Sequence, residues 1–182
     1  MQEPEPPLIQ PFNFVFSWRR FLVHCAIIGI CVLLGLMTWH FGKPQSIRFY
    51  ETNSDAQLAT SIAPGIDMTL DMHSSVTVKY NQSLQVELLK GNVYFDIHKN
   101  AVNQLEVKVG NAIIKNYGTR FSIQLHKGGG SHIAVADGNI KIHVASGVYQ
   151  ISAFEQADFD DAGISKHRLI TARDIAPWRS PL

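Results

Sequence analysis

Histidines are the residues of this 182-residue chain whose type most directly suggests metal chemistry, and there are eight of them. His126 and His132 flank a triple-glycine turn, and His143 follows further along the chain. A zinc site needs three or four converging ligands, and this spacing predicts no convergence. We therefore expect neither a bound metal ion nor any other cofactor.

The nucleophile and phosphate-binding motifs of common enzyme classes are missing from the sequence. The segment Lys127–Ser131 is glycine-rich, but it lacks the Lys-Ser/Thr pair that completes a phosphate loop. No Gly-x-Ser-x-Gly elbow occurs. The two cysteines, Cys25 and Cys31, both lie in an apolar stretch. The aspartates before Gly163 are typical of turns. We predict that the protein is not an enzyme and has no small-molecule substrate.

One stretch, Phe21–Phe41, contains no Asp, Glu, Lys or Arg. As a helix it would be about 31 Å long, close to the thickness of a hydrocarbon core. Trp18 and Trp39 bracket it, and Arg19 and Arg20 stand at its N-terminal edge. Tryptophan favours the membrane boundary, and basic residues favour the cytoplasmic side. We predict a single transmembrane helix with a cytoplasmic N-terminus. The formal net charge of +1 gives no indication of nucleic-acid binding.

Beyond Pro44, apolar and polar residues alternate with a period of two over short runs, and Gly/Asn-rich turn signals separate the runs. This period is typical of antiparallel strands with one buried face. It predicts an all-β domain, either a β-sandwich, a jelly roll or a β-solenoid, and we favour a jelly-roll-like β-sandwich. The predicted strands cover residues 75–80, 84–88, 93–98, 105–109, 121–125, 133–135 and 140–144.

These patterns divide the chain into five predicted parts. They are a short cytoplasmic tail (1–20), a transmembrane helix (21–41), a linker (42–55), a periplasmic β domain (56–176) and a C-terminal stub (177–182).

Three segments of the β domain resemble motifs of the FecR family: Leu88–Ile97, Tyr117–Ile123 and Ile133–Val144. Their glycines lie between predicted strands, where a positive φ is easiest for glycine. Phe95 and Phe121 are predicted core residues, and Asp96 is expected at the surface or in a turn. We expect a structural role for the motif residues, which are Leu88, Gly91, Tyr94, Phe95, Asp96, Gly118, Thr119, Phe121 and Gly138.

The resemblance implies a bacterial inner-membrane protein that regulates an extracytoplasmic-function sigma factor from a periplasmic β domain. The partners it implies are that sigma factor and a TonB-dependent receptor, with a link to iron or siderophore uptake. Typical members carry a sigma-binding domain before the helix and a receptor-interacting domain after the β domain. Only residues 1–20 precede the helix here, and the chain stops soon after Trp178. We therefore expect a member shortened at both ends.

A second hypothesis stays open on the sequence. The chain would then be a membrane-tethered β module for interaction or scaffolding, or a truncated relic without sigma-factor activity. The two hypotheses differ in whether either end of the chain contacts a signalling partner.

Overall fold

The computed structural model describes residues 18–41, 46–81, 83–101, 104–116 and 118–179. The chain divides into two units, Met1–Lys43 and Pro44–Leu182. Some sequence predictions fall outside the described residues, namely those for tail residues 1–17, linker residues 42–45, Tyr117 and the last residues of the stub, 180–182.

The first unit contains one α-helix, α1, which spans Trp18–Phe41. At 1.5 Å per residue its 24 residues extend for about 36 Å. Its described side chains, Trp18 and residues 22–37, are all exposed within the chain. Among the residues described, none of the helices is both long enough and apolar enough to pass through a membrane.

The second unit is a sandwich of two seven-stranded sheets, followed by a short 3-10 helix, Ala172–Asp174. The strands are β1 (Ser46–Glu51), β2 (Leu58–Ala63), β3 (Ile66–Leu70), β4 (Ser75–Tyr80), β5 (Leu84–Lys90), β6 (Asn92–Ile97), β7 (Leu105–Val109), β8 (Ala112–Asn116), β9 (Arg120–Leu125), β10 (Ser131–Asp137), β11 (Asn139–Val144), β12 (Gly147–Ser152), β13 (Glu155–Phe159) and β14 (Ile164–Leu169).

Strand order increases steadily along the chain in both sheets. Sheet 1 has the order β1-β4-β5-β7-β8-β11-β12, and sheet 2, taken from its other edge, has the order β2-β3-β6-β9-β10-β13-β14. A jelly roll is built from Greek keys, in which a strand returns to lie beside an earlier one. No strand of the described chain makes that return, so the β-sandwich is confirmed and the jelly-roll arrangement is not.

One strand pair departs from the expected antiparallel pattern, because β5 and β7 run parallel. Between them the chain leaves sheet 1, forms β6 in sheet 2 and comes back in the original direction. Parallel neighbours need such a crossover connection, and here a strand of the opposite sheet supplies it.

All seven predicted strands form, with ends that differ by up to two residues from the prediction. The sandwich also begins earlier than the sequence predicted. β1 lies inside the stretch expected to be a linker, 42–55, and pairs with β4 along its whole length. The alternation of apolar and polar residues in β1 is weak. As an edge strand, β1 has a neighbouring strand on one side only, and five of the six residues of β1 are exposed.

The core fills the space between the two sheets. Phe95 and Phe121, the two predicted core residues, are fully buried, with ring centroids 5.3 Å apart. At the end of the sandwich formed by β1 and β2, the Tyr80 hydroxyl of sheet 1 donates to the Ile62 carbonyl of sheet 2 over 2.9 Å. The guanidinium of Arg48 lies 5.4 Å from the Tyr80 ring centroid. These contacts close the open end of the core.

Candidate interaction site

The three motif glycines occupy points at which the chain passes from one sheet to the other. Gly91 joins β5 to β6, Gly118 precedes β9, and Gly138 joins β10 to β11. All three have positive φ, at 79°, 65° and 81°. Gly91 and Gly138 are each the one residue between two strands, and Gly118 lies in the three-residue link between β8 and β9. All three positions use a conformation that glycine adopts at low cost.

Each of these glycines also lies against the preceding crossover along the chain. A Cβ on Gly91 would approach Ser74 Oγ to 2.2 Å and Ser74 Cα to 2.8 Å. A Cβ on Gly118 would approach Lys99 Cα to 2.7 Å, and one on Gly138 would approach Thr119 Cγ2 to 2.6 Å. The glycines therefore permit direct stacking of successive crossovers.

A buried polar cluster holds the crossovers at the Gly91 end. The Thr52 hydroxyl accepts from the Ser74 amide at 2.9 Å, and Ser74 Oγ accepts from the Asn92 amide at 2.9 Å. Asp71 accepts from the side chains of Gln57, at 3.1 Å, and Asn92, at 2.8 Å. Three crossovers, between β1 and β2, β3 and β4, and β5 and β6, are joined by this network.

The remaining motif residues are distributed over the core and the sheet surface. Leu88 is buried in the core, Tyr94 is buried on the outer face of sheet 2, and Asp96 is half-buried. Thr119 is 1% exposed, and its hydroxyl has no hydrogen-bond partner among the described residues. The structural role assigned to these residues stays a prediction.

The boundary residues proposed for the membrane helix are only partly described. The Trp18 side chain is 65% exposed. The side chains of Arg19, Arg20 and Trp39 lie outside the described part of α1. Their assignment to a membrane boundary therefore stays a prediction as well.

The histidines and aspartates serve separate local contacts. His132 Nδ1 lies 2.6 Å from Asp158 Oδ1. Asp160 accepts from two amides of its own turn, and Asp161 accepts from the backbone and side chain of Asn111 across a neighbouring turn. Within the described residues, no three His, Cys, Asp or Glu side chains come together as metal ligands.

The last described residues of the chain lie across the outer face of sheet 2; the sequence had assigned residues up to 176 to the β domain and 177–182 to a stub. We call residues 171–179 the C-terminal strap. Trp178 O accepts from Gln57 Nε2 at 2.6 Å, and the Arg179 guanidinium lies 4.2 Å from the Tyr94 ring centroid. β14 is four strand positions from β6 in this sheet. The strap therefore crosses about 19 Å of sheet.

A row of outward-facing side chains crosses sheet 2 near this path. Tyr94, Ser122, Ala134 and Gln156 are neighbours in adjacent strands and form this row. Their chain neighbours point into the core, yet all four are at least 94% buried. At the Tyr94 end of the row, the Arg179 guanidinium of the strap covers the aromatic ring. The sequence has no periodic pattern that predicts the strap. Its contacts join residues as distant in the chain as Gln57 and Trp178, and such contacts leave no local pattern.

The four sheet edges are further surfaces for contact. β1 and β12 border sheet 1, and β2 and β14 border sheet 2. Five of the six residues of β14 are exposed. An edge strand has one row of unpaired backbone groups, to which an extended segment of a partner can add as a further strand.

Glu155 anchors the crossover between β12 and β13. Its carboxylate accepts from the Ser152 amide at 2.7 Å and lies 3.0 Å from His167 Nε2 of β14. The hydrogen bond from Ser152 holds the pKa of Glu155 below its ordinary value, opposed by partial burial and assisted by His167. The charged form of this side chain therefore favours the fold.

The architecture defines the chain as a two-sheet β-sandwich domain in which glycine corners carry the chain between sheets, preceded by one helix. The family model for FecR protein matches residues 48–141, from β1 to β11 and more than half of the chain. This protein belongs to the FecR family.

Solved structures agree with this fold. Two crystal structures, at 2.50 Å and 1.65 Å resolution, each of a candidate anti-sigma factor from Parabacteroides distasonis ATCC 8503, are similar to this chain. Both are 15% identical, with TM-scores of 0.60 and 0.59 and coverage of 70% and 69% of this chain. The chain spans 62% and 61% of their lengths. No curated protein matches.

The crossover packing predicts that Gly91→Ala destabilises the fold. The added methyl group meets Ser74, and the alanine must also adopt a positive φ. We expect a loss of about 3 kcal/mol in the free energy of unfolding, measured by urea denaturation. Gly128→Ala is the matched control, because a Cβ there has no neighbour within 4 Å. Equal stability of the two variants would contradict direct crossover contact.

The lowered pKa of Glu155 predicts an acid-dependent loss of stability. Since the folded pKa lies below the unfolded one, the carboxylate stabilises the fold above the unfolded pKa. That contribution disappears as the pH falls through the folded pKa. Glu155→Gln should be less stable than wild type by about 1 kcal/mol near neutral pH, and the difference should vanish in acid. Thermal unfolding against pH measures this, with exposed Glu51→Gln as control; a pH-independent difference would refute it.

Proposed function

We propose that this protein regulates an extracytoplasmic-function sigma factor as a FecR-type anti-sigma protein. The observation that carries the proposal is the family match, which extends over eleven consecutive strands of the sandwich. The similar structures, described as candidate anti-sigma factors, support it. A sigma factor is the partner that follows from this assignment.

In this proposal the protein acts by binding and not by catalysis. The edge strands of its two sheets are suited to protein contacts. A TonB-dependent receptor is the proposed source of the signal, and iron limitation is the proposed condition. The sigma factor would contact residues 1–20, either directly or together with a further protein.

We also propose that α1 holds the β domain at the periplasmic side of the bacterial inner membrane, with the N-terminus in the cytoplasm. The uncharged stretch Phe21–Phe41 and its flanking Trp18, Arg19, Arg20 and Trp39 support this topology.

The regulator hypothesis predicts capture of a sigma factor. The tagged full chain, extracted in mild detergent from iron-starved cells, should retain one sigma factor of the extracytoplasmic class. Deletion of residues 1–17 should abolish this retention, and deletion of the gene should alter a reporter for that sigma factor. Retention of none, together with an unchanged reporter, would favour the scaffold or relic hypothesis.

The topology predicts that the β domain is labelled from the periplasm. Lys141→Cys, placed on an exposed position of β11 in a Cys25→Ser, Cys31→Ser background, should react with a membrane-impermeant maleimide in spheroplasts. The protein should stay in the membrane pellet after carbonate extraction. Release by carbonate, or labelling only after lysis, would refute the proposed anchoring.

A further inference from the structure

A cleft of about 570 Å³ opens where the β3–β4 crossover, the end of β5 and the β9–β10 turn meet. Its volume lies in the range of sites that bind small molecules or a few side chains of a peptide. The residues that matter to its chemistry are Met72, His73, Leu89, Lys90, His126 and Lys127.

The cleft is basic. Two lysines and two histidines line it, and no carboxylate is among its described lining residues. Lys90 and Lys127 are exposed, and neither has an ion-pair partner among the described residues. On the outer face of sheet 1, by contrast, Lys79 and Lys108 are both paired with Glu87. The unpaired lysines therefore leave positive charge available to an anionic ligand.

The cleft also exposes two large apolar side chains. Met72 is 45% exposed and Leu89 is 47% exposed. Ser75 pairs with Lys90 and Val76 pairs with Leu88, so Leu89 is the extra residue of a β-bulge. Leu89 follows buried Leu88 and keeps the outward position that alternation gives it, and the bulge leaves the next residue, Lys90, exposed as well. An apolar and a cationic side chain therefore lie side by side at the wall of the cleft.

Backbone strain marks the same place. His73 has a φ of 56°, a conformation that costs a non-glycine residue energy. The crossover that contains His73 is stacked on Gly91 through its neighbour Ser74. Strain, a bulge, exposed apolar groups and unpaired cations thus coincide within one concave surface.

We propose that this cleft binds an acidic peptide segment of a partner protein. An apolar side chain of that segment lies against Met72 and Leu89, and neighbouring carboxylates pair with Lys90 and Lys127. The concave shape favours a peptide over a flat anionic membrane. This contact is separate from the proposed sigma-factor contact, and its test requires no sigma factor.

The test titrates the detergent-solubilised full chain with a short fluorescein-labelled peptide of alternating glutamate and leucine, followed by fluorescence anisotropy. A peptide with glutamine in place of glutamate is the neutral comparison. We expect the acidic peptide to bind at least about tenfold more tightly, with an affinity that falls as salt is added. The double variant Lys90→Glu/Lys127→Glu should lose that preference, and Leu89→Ser should weaken binding to both peptides.

Lys141→Glu is the matched control, because Lys141 is an exposed lysine on β11 outside the cleft. It should leave the affinity unchanged, and all variants should keep the wild-type unfolding curve because each altered side chain is exposed. Equal binding of the acidic and neutral peptides would overturn the proposal. So would an equal loss with Lys141→Glu.

Discussion

The sandwich depends on the close stacking of the crossovers that carry the chain between its sheets. Gly91 lies so close to Ser74 that no side chain fits between the two turns, and Gly138 lies close to Thr119 in the same way. When successive crossovers stack in this way, each strand is set beside its predecessor in the same sheet. The steady strand order of both sheets follows from this repeated contact.

This strand order leaves the core between the two sheets open at the first strands, β1 and β2, and at the last, β12 and β14. Different contacts cover the core at the two ends. At the β1–β2 end, Tyr80 and Arg48 close the core between the sheets. At the other end the chain turns back from β14, and the C-terminal strap returns over sheet 2 to Gln57. The strap thereby links the last part of the domain to the first, through a hydrogen bond between residues 121 positions apart.

Period-two alternation predicted seven of the fourteen strands, β4 and β7 among them, but not β3 and β8, whose burial alternates as strongly as that of β7. It missed β14, because this edge strand is exposed along nearly its whole length. The glycine positions were predictable, but their role in changing sheets was not. A single glycine between two alternating runs has the same local pattern whether the next strand joins the same sheet or the opposite one. The parallel pairing of β5 with β7 could not be predicted from alternation either. Alternation of apolar and polar residues shows which face of a strand is buried, and it does not show which strand lies beside it.

At the basic cleft, the features that the sequence did not predict are departures from regular strand pairing and from ordinary backbone conformation. A β-bulge at Leu89 leaves Leu89 and Lys90 both exposed, and His73 adopts a φ that histidine seldom uses. The His73 amide donates to the Asn53 carbonyl in the crossover that stacks on Gly91, so this position serves the fold. Leu89 and Met72, by contrast, stay half exposed and add little to the core. Apolar area left exposed next to unpaired lysines is therefore better explained by a contact made with another molecule than by the folding of this one.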